Sequence, residues 1–337
     1  MRKVVLSLVL LALAAGEAMG VSEGAPGALQ PLLAPSARAA GMGQAFVAVA
    51  DDATAAYWNP ASLALRQRLS LTYFYTPLVP DLADDIRYNF AAGSFGAFGG
   101  TLGLSLIYLT FGTSDIIDEQ GNAQGSFKSY DLVPTVSYGS RVSDRLSLGV
   151  SFKIVYSKLS DPIPQLEIGD GTGTSIAGDL GVLYTVAHDS SSVGSLRLAG
   201  ALQNLGPNIA YNDQDQAESL PRMFRLGAAW APNLTKTKTE TGIQLHRILV
   251  TAEMTKPLVN ANDPPIWKGG AEYTFYDLVA LRGGWVQDND GEITDLTYGA
   301  GFMLQKTGTG RLRFDYASFP QHEDLERVNK FSLSYDF

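Results

Sequence analysis

From about Arg68 to the last residue the sequence repeats one unit: about ten residues of alternating apolar and polar side chains, then a turn or loop. A period of two puts the apolar side chains on one face of a strand. Leu69, Leu71, Tyr73 and Tyr75 open the series with Ser70, Thr72 and Phe74 between them. Ile86, Tyr88 and Phe90 follow against Arg87 and Asn89, then Leu102, Leu104, Leu106 and Tyr108 against Gly103 and Ser105. Further units fall at 130–138, 148–154, 180–184, 196–202, 224–230, 248–254, 267–275, 279–285, 296–302, 312–316 and 331–337. The expectation is an all-β chain of about fourteen strands, an even number, as a single-chain bacterial barrel requires.

Soluble sandwiches and propellers alternate too, so two further features carry the choice of a transmembrane barrel. Connections alternate in length. Those at 96–100, 141–145, 276–277 and 305–310 are short, whereas 112–128, 158–173, 206–220 and 320–330 are long and polar. Short periplasmic turns and long external loops give this asymmetry. One connection, 232–247, breaks it by being long where a short turn is due.

Charges also keep to one face. Arg87, Lys153, Arg197, Arg225, Glu253, Lys268, Glu272, Arg282, Arg313, Asp315 and Asp336 all alternate out of phase with the apolar residues. An Arg or Lys on the lipid face costs about 2–4 kcal/mol at the bilayer midplane, so these side chains are assigned to the lumen. Arg282, Arg313, Asp315 and Asp336 lie on late strands and are expected to form a luminal charge network. The alternative is an ordinary solvated sheet face. In the last strand Phe331, Leu333, Tyr335 and Phe337 alternate with polar residues, and Tyr335 and Phe337 form the expected signal for barrel-assembly machinery.

Residues 1–20 read as a secretory signal: Arg2 and Lys3 are followed by an uncharged apolar stretch at 4–15, with Ala18 and Gly20 placed for cleavage before Val21. No later stretch approaches the length of a transmembrane helix. Cysteine is absent, which removes disulfides, thiolate metal sites and lipoprotein anchoring. The net charge of −9 gives no basic face for nucleic acid. His188, His246 and His322 fall in loops or at strand edges and read as solvated rather than catalytic or metal-binding.

Residues 21–66 do not alternate and are rich in Ala and Gly, too few to fold alone, and suited to a plug inside the barrel of residues 67–337. Asp51 and Asp52 open a short helix, with Asp52 as its N-cap, and Asn59-Pro60 forces a turn. Gly41-Met42-Gly43-Gln44-Ala45-Phe46, Asp51-Asp52-Ala53-Thr54 and Trp58-Asn59-Pro60-Ala61-Ser62-Leu63 resemble the N-terminal signature of the PorV/PorQ family, within the wider FadL-like group of outer-membrane proteins. Residues 314–317 and 331–337 resemble that family's last two strands. The resemblance implies a 14-stranded antiparallel transmembrane β-barrel with an N-terminal plug, in the outer membrane of a Gram-negative bacterium, handling hydrophobic cargo. Its plug residues are Gly41, Gly43, Asp51, Asp52, Asn59, Pro60 and Ala61; the bland alternative is that the motif only shapes a turn.

A sideways exit through the wall needs a break in strand pairing, and Pro134 marks the expected bulge, since proline cannot donate to the ladder. The alternative is a harmless irregularity near a strand end. Transport of hydrophobic small molecules is the leading functional expectation. The second is a type IX secretion role, carrying or attaching secreted proteins by their C-terminal domains; the third is a purely structural barrel. The acidic loops 212–215 and 288–292 read as solvated before they read as calcium sites. No Gly-x-Ser-x-Gly elbow or phosphate loop is present, so no enzyme is expected. The expected partners are outer-membrane lipid, barrel-assembly machinery and the cargo, with a monomer as the default and no cofactor or metal.

Overall fold

The computed structural model describes residues 33–337 apart from 81–82, 118–122, 162–170, 190, 192, 212–216, 234–244, 261, 292, 307–309 and 322–324. The signal sequence read at 1–20 lies outside the described residues, as do the acidic loop 212–215 and His322.

Fourteen antiparallel strands follow one another: β1 (Ser70–Pro77), β2 (Ile86–Ala97), β3 (Gly100–Ile117), β4 (Ala123–Arg141), β5 (Leu146–Lys158), β6 (Thr172–Ala187) and β7 (Ser195–Leu205), then β8 (Met223–Ala231), β9 (His246–Pro257), β10 (Ile266–Phe275), β11 (Val279–Asp288), β12 (Ile293–Lys306), β13 (Gly310–Phe319) and β14 (Val328–Asp336). Each pairs with its neighbours in sequence, and β1 pairs with β14, so the sheet closes with no free edge. Closure lets the strands of the wall satisfy one another's backbone groups, as a strand-built structure in lipid requires.

Around the ring the outward positions are large, apolar and exposed, for example Leu71, Leu104, Phe152, Ile176, Leu226, Leu281, Leu296 and Leu333. Leu281 and Leu296 keep 59% and 64% of their surface. An apolar belt that encircles a protein faces lipid rather than water. All fourteen strands read from the sequence are present, and the connections alternate between the two ends of the barrel. The end that carries Ser70 and Asp336 has the turns at 98–99 and 276–278; it also has the long connection 232–245, so that irregularity belongs to the molecule and not to the strand count.

Two expectations are corrected. In β2 the phase is inverted: Tyr88 and Phe90 point inward and are buried, while Arg87 is exposed. Arg87 sits at the far end of its strand and donates from Nε to the Asp84 carbonyl (2.9 Å), so its outward position is at the barrel's rim, not in the lipid. Between β3 and β4 much of the expected loop is strand. The hairpin continues past Thr110 through a register shift at Phe111–Gly112, with Gly112 at φ 83°, a left-handed value that suits glycine.

The N-terminal segment lies inside this ring. Of residues 34–64, only Gln44 and Asp51 escape full burial. It contains helix α1 (Ala37–Gly41), helix α2 (Ala55–Trp58) and a 3-10 helix (Pro60–Leu65). Its polar contacts reach wall strands on every side: Ala53 N to Ser70 in β1 (3.2 Å), Asn59 Nδ2 to the Val182 carbonyl in β6 (3.1 Å), Gly43 N to Thr297 in β12 (2.9 Å) and Ala37 N to Ser332 in β14 (2.7 Å). The expected Asp52 N-cap is displaced. Helix α2 starts later, with Thr54 at the N-cap position, and Asp52 instead accepts the Thr54 N–H at 2.9 Å. Asp52 is drawn away by Arg313 across the lumen.

Candidate functional site

Burying charge inside the barrel requires partners, and the luminal segment supplies them. Arg38 of α1 binds Glu272 of β10 and also reaches Asp51 at 2.6 Å. Glu272 accepts in turn from Arg282 Nε at 2.7 Å, and Arg282 continues to Asp315 at 2.9 Å. Arg313 closes the chain, holding Asp315 at 2.9 Å and Asp52 of the segment. Of the four network residues expected from sequence, Arg282, Arg313 and Asp315 come together. Asp336 stands apart and pairs with Arg66 at 3.0 Å, where the segment meets the barrel. Arg38 and Glu272 are central, and sequence alone does not mark them: Arg38 lies outside every alternating unit, and Glu272 is visible only as one charge among many.

Two further pairs brace the other walls. Arg225 binds Glu253 at 2.9 Å, and Lys153 binds Asp179 at 2.9 Å. Glu253 Oε2 also accepts the Phe46 and Val47 N–H groups, both at 2.8 Å, so one carboxylate ties two strands to the segment. Burial raises the Asp51 carboxyl, but Arg38, Arg66 and Arg313 outweigh it and hold the group well below the usual carboxylate range. Burial lowers Arg38, and Glu272 and Asp51 more than reverse this.

The sequence motif resolves into close contacts. Asn59 is the N-cap of the 3-10 helix, its Oδ1 accepting the Ala61 N–H at 3.0 Å, with Pro60 as the first helical residue. Trp58 donates from Nε1 to the Pro35 carbonyl (3.1 Å) and stacks edge-on with Phe46 and Tyr57, with the Arg225 guanidinium 5.0 Å above its ring. Burial pushes the Tyr57 hydroxyl up to about 12.

Wall glycines make room for this backbone. A Cβ at Gly149 would stand 2.2 Å from Ala61 N, one at Gly181 2.1 Å from Asn59 Oδ1, and one at Gly284 2.2 Å from Gly43 N. A Cβ on Gly41 would crowd Arg282 Cβ and Gly299 Cα at 3.2 Å. Glycine inside a strand marks close approach of another backbone. Glycines within the alternating units are the sequence signal for this approach.

Pro134 does not make a bulge. It pairs with Leu106 on β3, and on β4–β5 the register is the same at Leu132↔Tyr156 and Thr135↔Lys153, with only Val133 and Pro134 left unpaired. Loss of a single N–H skips a rung without inserting a residue. Register shifts occur at other places, among them where β7 meets β6, between Gly178 and Leu180, with Asn204 at φ 61°. The extra residue turns both Gln203 and Asn204 inward: Gln203 donates to the Tyr57 carbonyl, and Asn204 receives Lys153 Nζ at 2.8 Å. At the seam, Phe337 N donates to the Leu69 carbonyl at 2.9 Å and the Tyr335 and Phe337 rings meet edge-on, 4.4 Å between centres.

A cavity of about 350 Å³ opens beneath the loops of the far end, among β8–β13. Met223, Val259, Ile266, Val286, Ile293 and Phe319 give it an apolar lining, and Gln44 of the segment also faces it. Gly43 and Gln44, at φ 65° and 59°, form a left-handed turn there, which for Gln44 stores backbone strain. Lys268 is buried at the cavity, donating to Thr255 Oγ1 at 3.2 Å. Among the described residues no cluster of possible metal ligands occurs.

The family model described as type IX secretion system protein PorV matches residues 23–262. The chain belongs to that family. No curated protein matches the sequence of this PorV-family chain. Among solved structures, the CymD monoaromatic hydrocarbon channel is similar at 13% identity and a TM-score of 0.52, covering 93% of this chain and 99% of that one. The toluene transporters TbuX of Ralstonia pickettii and TodX of Pseudomonas putida are 14% and 12% identical, each with a TM-score of 0.49. TbuX is covered over 97% of its length with 88% of this chain, and TodX over 98% with 94%. At this identity the CymD likeness speaks for the fold alone, a closed barrel of the same kind. The closed barrel and the family together place the PorV-family chain in the outer membrane.

Proposed function

We propose that this barrel takes a hydrophobic small molecule from outside the cell into the cavity beneath its external loops and passes it inward. The carrying observation is that cavity: its apolar walls, the buried cations Arg222, Arg225 and Lys268, and the strained Gly43–Gln44 turn facing it. Residues 21–66 act as the plug. Arg38, Asp51 and Asp52 latch it, and Gly41, Gly43, Asn59, Pro60 and Ala61 let it seat against the wall. Passage then requires the plug to yield near Gln44. An exit at Pro134 is less well supported, because Pro134 lies in β4, across the barrel from the cavity walls in β8–β13. Export by a Sec signal at 1–20, insertion by barrel-assembly machinery reading Tyr335 and Phe337, and action as a monomer complete the proposal.

The family match favours a second reading, in which the external face holds the C-terminal domains of proteins secreted by a type IX system. Mass spectrometry of whatever copurifies with the detergent-extracted protein separates the two. An apolar small molecule that is lost on Val286→Glu supports uptake; secreted proteins sharing one C-terminal domain support the secretion role and overturn the first reading.

A further inference from the structure

At the opposite end of the barrel, the end with the short turns, a second cavity of about 390 Å³ lies between the wall and the luminal segment. Its character is the reverse of the first. Six arginines line it (Arg38, Arg66, Arg141, Arg145, Arg197 and Arg247) against four acids (Asp51, Asp144, Asp189 and Glu272), in a chain whose net charge is −9.

The acids do not neutralise the arginines that matter. Asp51 and Glu272 are both engaged by Arg38, and Glu272 by Arg282 as well. Asp144 and Asp189 stand exposed in the turns at the rim. Arg197 is in phase with the buried Ala199 and Ala201 of β7, and Arg247 with the buried Leu249 and Thr251 of β9, so both are directed into the lumen. Both are half-buried, and neither has a carboxylate at ion-pair distance among the described residues; Asp51 and Asp189 act on Arg197, and Glu272 on Arg247, only from farther off. Deeper in the same lumen, Arg38, Arg225, Arg282 and Arg313 each hold a carboxylate. Two inward guanidiniums without a contact ion pair, over a floor of ion pairs that are made, suit an anion.

We propose that this vestibule binds a small solute bearing a phosphate or carboxylate group, held by Arg197 and Arg247. A guanidinium offers paired N–H donors that match the oxygens of either group, and partial burial strengthens the contact relative to water. The volume suits a small solute, and among the described residues the filled lumen leaves approach from the short-turn side, which in an outer-membrane barrel is the periplasm. This site is independent of the apolar cavity, and the experiment does not depend on that cavity's role.

The test is isothermal titration of the full-length protein in an uncharged detergent at low ionic strength, with inorganic pyrophosphate and with citrate as probes. Saturable binding of either is expected, weakened at least about tenfold in Arg197→Gln with Arg247→Gln, and partly retained in Arg197→Lys with Arg247→Lys, which keeps charge but loses the fork. Arg87→Gln, at the far rim, leaves binding unchanged. Heat-dependent gel mobility reports that each variant is a closed barrel, and the lysine pair keeps the test decisive if the glutamine pair misfolds. No saturable binding to the natural chain, equal binding by the double variants, or competition by chloride as effective as by the probes overturns the assignment.

Discussion

Arg38 and Glu272 meet through a two-point fork, Nε to Oε2 and Nη2 to Oε1, both at 2.8 Å. One partner sits in the first helix of the luminal segment and the other in the tenth strand. The contact is planar and buried, so geometry as well as charge holds the segment to the wall.

Arg38→Ala leaves a buried carboxylate with a single cation, and breaking a buried pair from one side costs about 3–5 kcal/mol. Urea unfolding in detergent, followed by emission of the buried Trp58, is expected to show an early transition in which the segment leaves while the barrel persists. Arg38→Lys keeps the charge and loses the fork, and falls between. A single late transition in Arg38→Ala would show that the fork is dispensable.

Gly283 and Gly284 are neighbours in β11 with opposite tolerance. Nothing lies within 4 Å of a Cβ on Gly283, whereas one on Gly284 meets Gly43 N at 2.2 Å. Gly284→Ala is therefore expected to destabilise the seated segment by about 1–3 kcal/mol, and Gly283→Ala to be neutral or better. Protease sensitivity of residues 33–66 in folded barrels checks both; equal protection in the two variants contradicts the glycine argument.

Asp51 carries the pH dependence. Its folded-state pKa is depressed, so its stabilising contribution is full at neutral pH and declines as pH falls below the ordinary carboxylate value of 3.8 toward the folded one. Cysteine-labelling of a segment position should rise on acidification below about pH 4. In Asp51→Asn the rise should be smaller and the neutral-pH baseline higher.

The chain has no cysteine, so an engineered pair is clean. A Cβ on Gly103 would lie 3.3 Å from Ala56 Cβ, close to disulfide range. Ala56→Cys with Gly103→Cys should form a bond that pins the segment and abolish uptake of an apolar molecule into cells or vesicles, with recovery on reduction. Full uptake while oxidised would mean that passage leaves this part of the segment in place.

Strand number and phase were legible because lipid imposes one rule on every outward position. Leu71, Leu226 and Leu333 obey it without exception. The rule fails at Tyr88 and Phe90, where the inward face is apolar as well: these rings pack in the lumen, Tyr88 against Phe74 and Phe90 against Tyr57, and hydropathy does not distinguish lipid from a luminal segment. The charged wall face was legible, but its pairing was not. Arg38 and Glu272 are 234 positions apart, and only the seating of the segment brings them together. Pro134 misled because a missing donor does not by itself add a residue to a strand. The bulge at Asn204 carries no proline or glycine to announce it.

The Arg66–Asp336 pair ties the end of the luminal segment to the last strand, beside the β1–β14 seam. Nearly the whole barrel intervenes in sequence between the two sides of that seam, so its closure carries the greatest loop entropy and comes late in assembly. A segment excluded from the lumen would leave Asp336 facing inward without its cation and the wall glycines facing a void. Closure of the seam thereby becomes a checkpoint: the ring is most stable when its contents are already aboard, and a barrel that closes empty is penalised as it closes.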